Sequence, residues 1–286
     1  MSNIALLLVL SAAFAHATWN YLAKRASGGT PFVWLFGAIS TIVYLPLAIW
    51  ILVYQQPVIG SAQLGFMIGT AVLHCAYFYL LDRGYQIGDL SLIYPLARST
   101  GPLLATVAAV FVLGEQPTFV TISGGLLILI GVFFLTGNPF LLRSPGASKP
   151  AMFAVLCGMV IATYTVWDKM AVSTYLVPPL LLDWSSNLGR TLLLTPYAMK
   201  RRDKVREQWK LNKKLVIGVG ILCPLAYILI LTALVFSPVS YIAPAREISI
   251  LVGTVLGAKL LSEGNLTSRL AAAGAMVIGL IILSFG

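Results

Sequence analysis

Charge is what this sequence has least of. Only 10% of its 286 residues are Asp, Glu, Lys or Arg, against about 25% in an ordinary soluble domain. A chain so poor in charge cannot clothe a water-facing surface, which sets aside the soluble enzymes and soluble binding modules. Acidic residues are the scarcest, nine against nineteen basic, and the net charge is +10. In a soluble protein that excess would point to nucleic acid. Here much of it sits in one loop between apolar runs, where the bias of cytoplasmic loops explains it and no nucleic acid is needed. Cysteine is down to three, Cys75, Cys157 and Cys223, far apart and inside apolar segments. Neither a disulfide framework nor a metal site follows, and they read as small core residues. There is no phosphate loop, metal-ligand spacing or nucleophile motif, so neither ATP use nor a cofactor is expected.

What the chain does have is apolar length. Hydrophobic residues make up 59% of it, and its mean hydropathy is +0.91. Runs of about 20 apolar residues recur, each long enough to cross a hydrocarbon core of about 30 Å. Only helices or closed barrels satisfy their backbones in lipid, and continuous runs favour helices over the alternation of a barrel. The expected fold is an all-α membrane protein. Ten transmembrane helices can be placed, over residues 4–23, 32–54, 62–81, 90–113, 119–137, 151–169, 179–199, 215–236, 239–261 and 267–285. Ala15-His16-Ala17 resembles a signal-peptide cleavage site, but no basic residue precedes it, so the first run is read as a retained helix.

The two halves repeat each other. HATWNYLAKRA at 16–26 matches IATYTVWDKMA at 161–171, and YLPLA at 44–48 matches LTPYA at 194–198. SLIYPLARST at 91–100 matches SYIAPAREIS at 240–249, pairing Pro95 with Pro244 and, after a one-residue slip, Arg98 with Arg246. VLGEQPT at 112–118 matches LLSEGNLT at 260–267, pairing Glu115 with Glu263. Residues 1–137 and 151–286 therefore form two five-helix repeats joined by a proline-containing linker, 138–150. An odd number of spans makes the second copy enter the membrane from the opposite face, giving inverted repeats with a site at the midplane between them. Basic residues crowd the links after odd-numbered spans, with eight in 200–214 alone. The positive-inside rule then puts both termini outside the cytoplasm; on the other side stands Lys169, offset by Asp168.

Arg98 and Arg246 carry most of the functional expectation. An arginine at the centre of an apolar helix costs about 2.5–3.5 kcal/mol on insertion scales, and two at matching places suggest a site. A guanidinium keeps its charge and offers five donors, which suits a carboxylate, phosphate or phosphonate. The plainer alternative is an arginine capping carbonyls freed by Pro95. Glu247 follows Arg246, but neighbours on a helix point about 100° apart, so a pair between them would need another helix; Glu247 could instead meet an ammonium or a coupling proton. Tyr94 shares the Arg98 stretch. Asp183, Asn187 and Arg190 share one helix face, as a structural network or a substrate contact. His16, Trp19 and Asn20 lie at i, i+3 and i+4 on the first helix; a histidine there could carry protons or be a satisfied core residue. His74, Tyr77, Phe78, Tyr79 and Tyr227 could face a cation or simply pack and anchor. Gly124 and Gly125, with Ala271, Gly274 and Ala275, read as small residues at helix contacts.

The ten spans, the five-plus-five duplication, the HATWNYLAKR opening and the paired GEQPT and SEGNLT loops resemble the drug/metabolite transporter superfamily, in its EamA-type branch. The likeness covers essentially the whole chain. It implies a ten-helix basket whose third, fourth, eighth and ninth spans line a central cavity, and alternating access for amino acids, related amines or sugar phosphates, by exchange or proton coupling. Small multidrug members use a glutamate in their first helix, where this chain has His16 and Asn20. Some members with a similar opening are associated with phosphonate use. The expectation is a secondary transporter in a bacterial inner membrane, a monomer or homodimer, moving a small anionic or zwitterionic metabolite such as an amino acid or organophosphonate. The alternatives are an exporter of cationic or aromatic drugs and a non-transporting membrane scaffold.

Overall fold

A computed structural model describes residues 2–26, 28–87, 90–136, 148–258 and 266–286. In order its helices are α1 (Asn3–Ala26), α2 (Gly29–Trp50), α3 (Ser61–Ile87), α4 (Leu90–Leu113), α5 (Phe119–Thr136), α6 (Ser148–Ser173), α7 (Pro179–Lys200), α8 (Arg202–Phe236), α9 (Val239–Ala245), α10 (Ile248–Ala258) and α11 (Leu266–Phe285). No strand occurs among the described residues. Six helical stretches, in α1–α4, α6 and α8, are long and apolar enough to cross a membrane; α5 and α11 contain shorter apolar ones. Ile4, Leu7, Phe14, Leu47, Ile130 and Ile278 are among many large apolar side chains left exposed. That is a liability in water and the expected surface against lipid tails.

Turn chemistry sets the boundaries. Pro178 and Pro238 precede α7 and α9 in extended backbone, where a missing N–H costs nothing. α2 ends in a π-helical turn, Ile51–Gln55, closed by Gln56 in the left-handed region at φ 47°. Contacts between the halves come in reciprocal pairs. α1 packs on α8 as α3 packs on α6, α1 on α10 as α4 on α6, and α2 on α8 as α3 on α7; α2 meets α7 and α5 meets α11. Such an exchange of partners is what two related halves produce.

The α5–α11 seam brings two helix backbones into contact. A Cβ on Gly124 would stand 2.6 Å from the Leu283 nitrogen and 2.8 Å from the Gly279 oxygen, so only hydrogen fits. The expectation had named Gly274 for this role. Among the described residues nothing lies within 4 Å of a Cβ placed there, and Gly279 makes the close contact instead.

Three further expectations need correcting. Residues 200–214 are not a loop: after Lys200, the last residue of α7, and a turn at Arg201, residues 202–214 are helical and run into the α8 span across a kink at Asn212 (φ −122°, ψ 18°). Val205 and Trp209 pack among Phe32, Leu35 and Phe36, and Asn212 donates to the Ala26 carbonyl at 3.3 Å, so an apolar stripe holds this basic stretch on α1 and α2. α6 begins at Ser148 and so takes in the end of the expected linker. The ninth run, expected as one span over 239–261, is broken into α9 and α10 at Arg246-Glu247. Pro244 supplies no N–H and crowds the turn before it. Beyond it the chain uses tight bonds, Glu247 N–H to the Pro244 oxygen (3.1 Å), Ser249 N–H to the Arg246 oxygen (3.2 Å) and Ile250 N–H to the Glu247 oxygen (2.9 Å). Glu263 and the link 259–265 lie outside the described residues, as do 137–147.

Candidate functional site

Between the halves lies a cavity of about 300 Å³. Of the residues expected at a site, His16, Trp19, Asn20, His74, Tyr77, Phe78, Tyr94, Arg98, Tyr227 and Arg246 all line it. Glu247 does not: it is 0% exposed and stands behind the arginines. Arg98 Nε approaches Glu247 Oε2 at 2.8 Å and Arg246 Nε approaches Oε1 at 3.3 Å. One carboxylate thus stands against two guanidiniums that line the cavity: Arg246 Nε donates to it, while Arg98 Nε and Glu247 Oε2 meet as opposite charges without hydrogen-bond geometry. Its direct pairing with Arg246 overturns the expectation that adjacent residues would point apart. That expectation assumed helical geometry, and the chain is in a turn there.

The pairing also corrects the repeat alignment. Counting three residues on from each proline gives Arg98 from Pro95 and Glu247 from Pro244. Equivalent positions of the two halves therefore carry opposite charges and meet where α4 packs against α9. Arg246 is the odd residue, placed one step early at the break. Its Nη2 and the Ser249 hydroxyl are buried without a hydrogen-bond partner. The guanidinium lies 5.9 Å from the centre of the Tyr164 ring.

Across the cavity α7 contributes a second polar group. Asn187 donates to Asp183 Oδ2 at 2.9 Å, and Arg190 donates to Asn187 Oδ1 at 2.5 Å. The Arg190 guanidinium is clamped between Phe36 and Phe78, 5.1 Å from each ring centre, an arrangement that holds a cation in place without a direct counter-charge. Asp183, Asn187 and Arg190 all line the cavity, so the helix-face reading of these three was sound in geometry. An aromatic wall completes the enclosure: His74 stacks on Tyr164 at 4.4 Å and meets Tyr227 edge-on at 5.2 Å.

Tyr164 was missed by the sequence reading. A signal existed, because aligning Thr18 with Thr163 sets Trp19 against Tyr164, and both line the cavity. Asp168 was misplaced as a loop charge offsetting Lys169. The two point apart: Lys169 Nζ donates to the Leu234 and Ser237 carbonyls at the end of α8 (2.6 and 3.1 Å). Asp168 is buried and accepts from the Tyr227 hydroxyl. Glu115, whose partner Glu263 is not described, accepts from the Val239 and Ser240 N–H groups (2.7 and 2.9 Å), capping the start of α9.

A cavity walled by α1, α3, α4, α6, α7, α8 and the α9–α10 break, with both halves contributing, fits a carrier. The sequence matches the EamA-like transporter family over residues 3–137 and again over 148–285. The chain belongs to that family. Its members are transporters rather than enzymes, so this EamA-like protein is a multi-pass membrane protein for small molecules. Twenty-nine solved chains match its fold. One of them, described only as "Crystal structure of protein", has a TM-score of 0.76 at 15% identity, covering 98% of each chain. At that identity the likeness concerns fold alone. No curated protein matches the chain significantly. The resemblance had implied a cavity lined by the third, fourth, eighth and ninth spans; α1, α6 and α7 line it as well.

Proposed function

We propose that this EamA-like protein is a secondary transporter of a small anionic or zwitterionic metabolite, an amino acid or an organophosphonate, moved by alternating access. In this reading ten spans form two inverted five-helix repeats, with both termini outside the cytoplasm of a bacterial inner membrane. The observation that carries it is the pair Arg98 and Arg246, both lining the cavity and both within 3.3 Å of the one carboxylate of Glu247. A carboxylate or phosphonate would meet donors already held in place, with the Ser249 hydroxyl beside them. The aromatic wall and Asp183 would receive an ammonium on the same molecule.

The test is uptake into liposomes holding the purified protein, with labelled L-phenylalanine, 2-aminoethylphosphonate and tetraphenylphosphonium offered separately. Saturable uptake of an acid-bearing solute is expected, with a loss of at least tenfold in Arg246→Gln, a variant that leaves the Arg98–Glu247 pair in place. Uptake of the cation alone, indifferent to Arg246→Gln, would replace this reading by that of a cation exporter.

A further inference from the structure

Among the described buried carboxyls, Asp168 is linked to no cation, directly or through one side chain. Glu247 touches two guanidiniums. Asp183 is tied through Asn187 to Arg190. Asp168 is 0% exposed, its Oδ2 accepts from the Tyr227 hydroxyl, its Oδ1 meets no donor with full hydrogen-bond geometry, and the Thr70 side chain is the other polar group against the carboxyl. Its own neighbour Lys169 is turned away to the carbonyls of α8. An unpaired carboxylate buried at this depth is costly, and the usual remedy is to keep a proton.

The surroundings provide both a place and a route for that proton. From α3, Thr70 stands beside the carboxyl, and its hydroxyl is 3.1 Å from His74 Nδ1. His74 Nδ1 also lies 2.9 Å from the Thr70 carbonyl, which can only accept, so Nδ1 carries the hydrogen. A hydroxyl can accept from one neighbour while donating to another, and Thr70 stands between cavity-lining His74 and sealed Asp168. From α8 comes Tyr227, from α7 Asp183, and from the α9–α10 break Arg246; Arg98 on α4 is bound up with Glu247.

The geometry points to Asp168 as the binding site of a coupling proton, loaded in the conformation seen here and exchanged with the cavity through Thr70 and His74. The inference rests on the transporter reading and names what drives it. Around the cavity stand three guanidiniums, Arg98, Arg190 and Arg246, and three carboxyls, Glu247, Asp183 and Asp168. With all carboxyls ionised the charges cancel. A proton on Asp168 leaves one positive charge in excess, so the proton and an anionic cargo each favour the other's binding, and by linkage the effect is reciprocal. No covalent step is involved: the proton enters from cavity water on one side and leaves to water on the other.

Infrared spectroscopy of the lipid-reconstituted protein tests the site without any cargo. At neutral pH the wild type should show the carbonyl stretch of a protonated carboxyl, lost in Asp168→Asn and moved to higher wavenumber in Tyr227→Phe, which removes the donor to Oδ2. A band unchanged by Asp168→Asn overturns the proposal. If that variant does not fold, an unshifted band in Tyr227→Phe overturns it instead. Coupling is then read from equilibrium binding of 2-aminoethylphosphonate and L-phenylalanine against pH. Wild-type affinity for whichever of them binds should fall by about 5–150-fold as the proton is withdrawn, the usual range for coupled sites. Asp168→Asn, fixed in the neutral form, should lose that dependence; equal dependence in both proteins overturns coupling. Should neither solute bind the wild type, the choice of cargo fails, while the infrared band still decides whether Asp168 holds a proton.

Discussion

α4 and the α9–α10 pair are related by sequence and differ in one respect. α4 runs unbroken from Leu90 to Leu113 with Pro95 and Arg98 inside it, whereas its counterpart opens into a turn just past Pro244. The difference shows what one residue of slip does. A proline within a helix is tolerated in membranes when neighbours take over the freed backbone groups. In the second half Glu115 secures the start of α9, and the chain then turns through i→i−3 bonds, which bring Arg246 and Glu247 into direct contact. One half presents a rigid arginine, and the other presents an arginine and a carboxylate on a bend. Together they form a three-member charge cluster that neither half could make alone.

The sharpest way to break the comparison is to remove its shared member. Glu247→Ala leaves two buried guanidiniums without a counter-charge, and a loss of about 3–5 kcal/mol is expected for a buried pair left half-made. Thermal unfolding in detergent reads it directly; a loss below about 1 kcal/mol would mean that water or lipid compensates the arginines. Arg98→Lys should then be more harmful to stability than Arg246→Lys, since Arg98 makes the closer approach, 2.8 Å against 3.3 Å. Equal effects would make the two halves interchangeable after all. Next in size is the seam that holds the halves in register: Gly279→Leu forces side-chain atoms onto the Gly124 backbone, and overpacking of this kind costs about 1–3 kcal/mol. Smallest is Glu115→Gln, which weakens the cap of α9 and should cost about 0.5–2 kcal/mol, with its effect confined to hydrogen exchange at Val239 and Ser240.

Much of this could be read from the chain itself. Apolar length placed the helices, because lipid leaves the backbone no other choice, and the repeated fragments 16–26 and 161–171 prefigured reciprocal packing. Arg98, Arg246 and the aromatic residues were found because charge and polar-tipped rings stand out in an apolar background. The break at 246–247 was not legible, because Pro95 and Pro244 look alike in sequence and only their neighbours decide which helix bends. Asp168 was misread for a related reason: the apolar run fades near 169, but α6 continues to Ser173, which moves Asp168 from the rim to the interior. The helix over 202–214 was not legible because eight basic residues in 200–214 hide Val205 and Trp209, whose spacing of four is the helical clue.

The glycine seam between α5 and α11 has one more implication. Each of these two helices occupies the same rank in its own half, so their backbone-to-backbone contact sits where the halves are mutually equivalent. A carrier that rocks needs some line about which distances stay constant, and a joint where backbone meets backbone at Gly124 and Gly279 is well suited to be that fulcrum. Under the alternating access proposed above, spin labels placed on either side of it would keep one separation throughout a cycle, while labels spanning the arginine cluster and the Asp183 wall would report two.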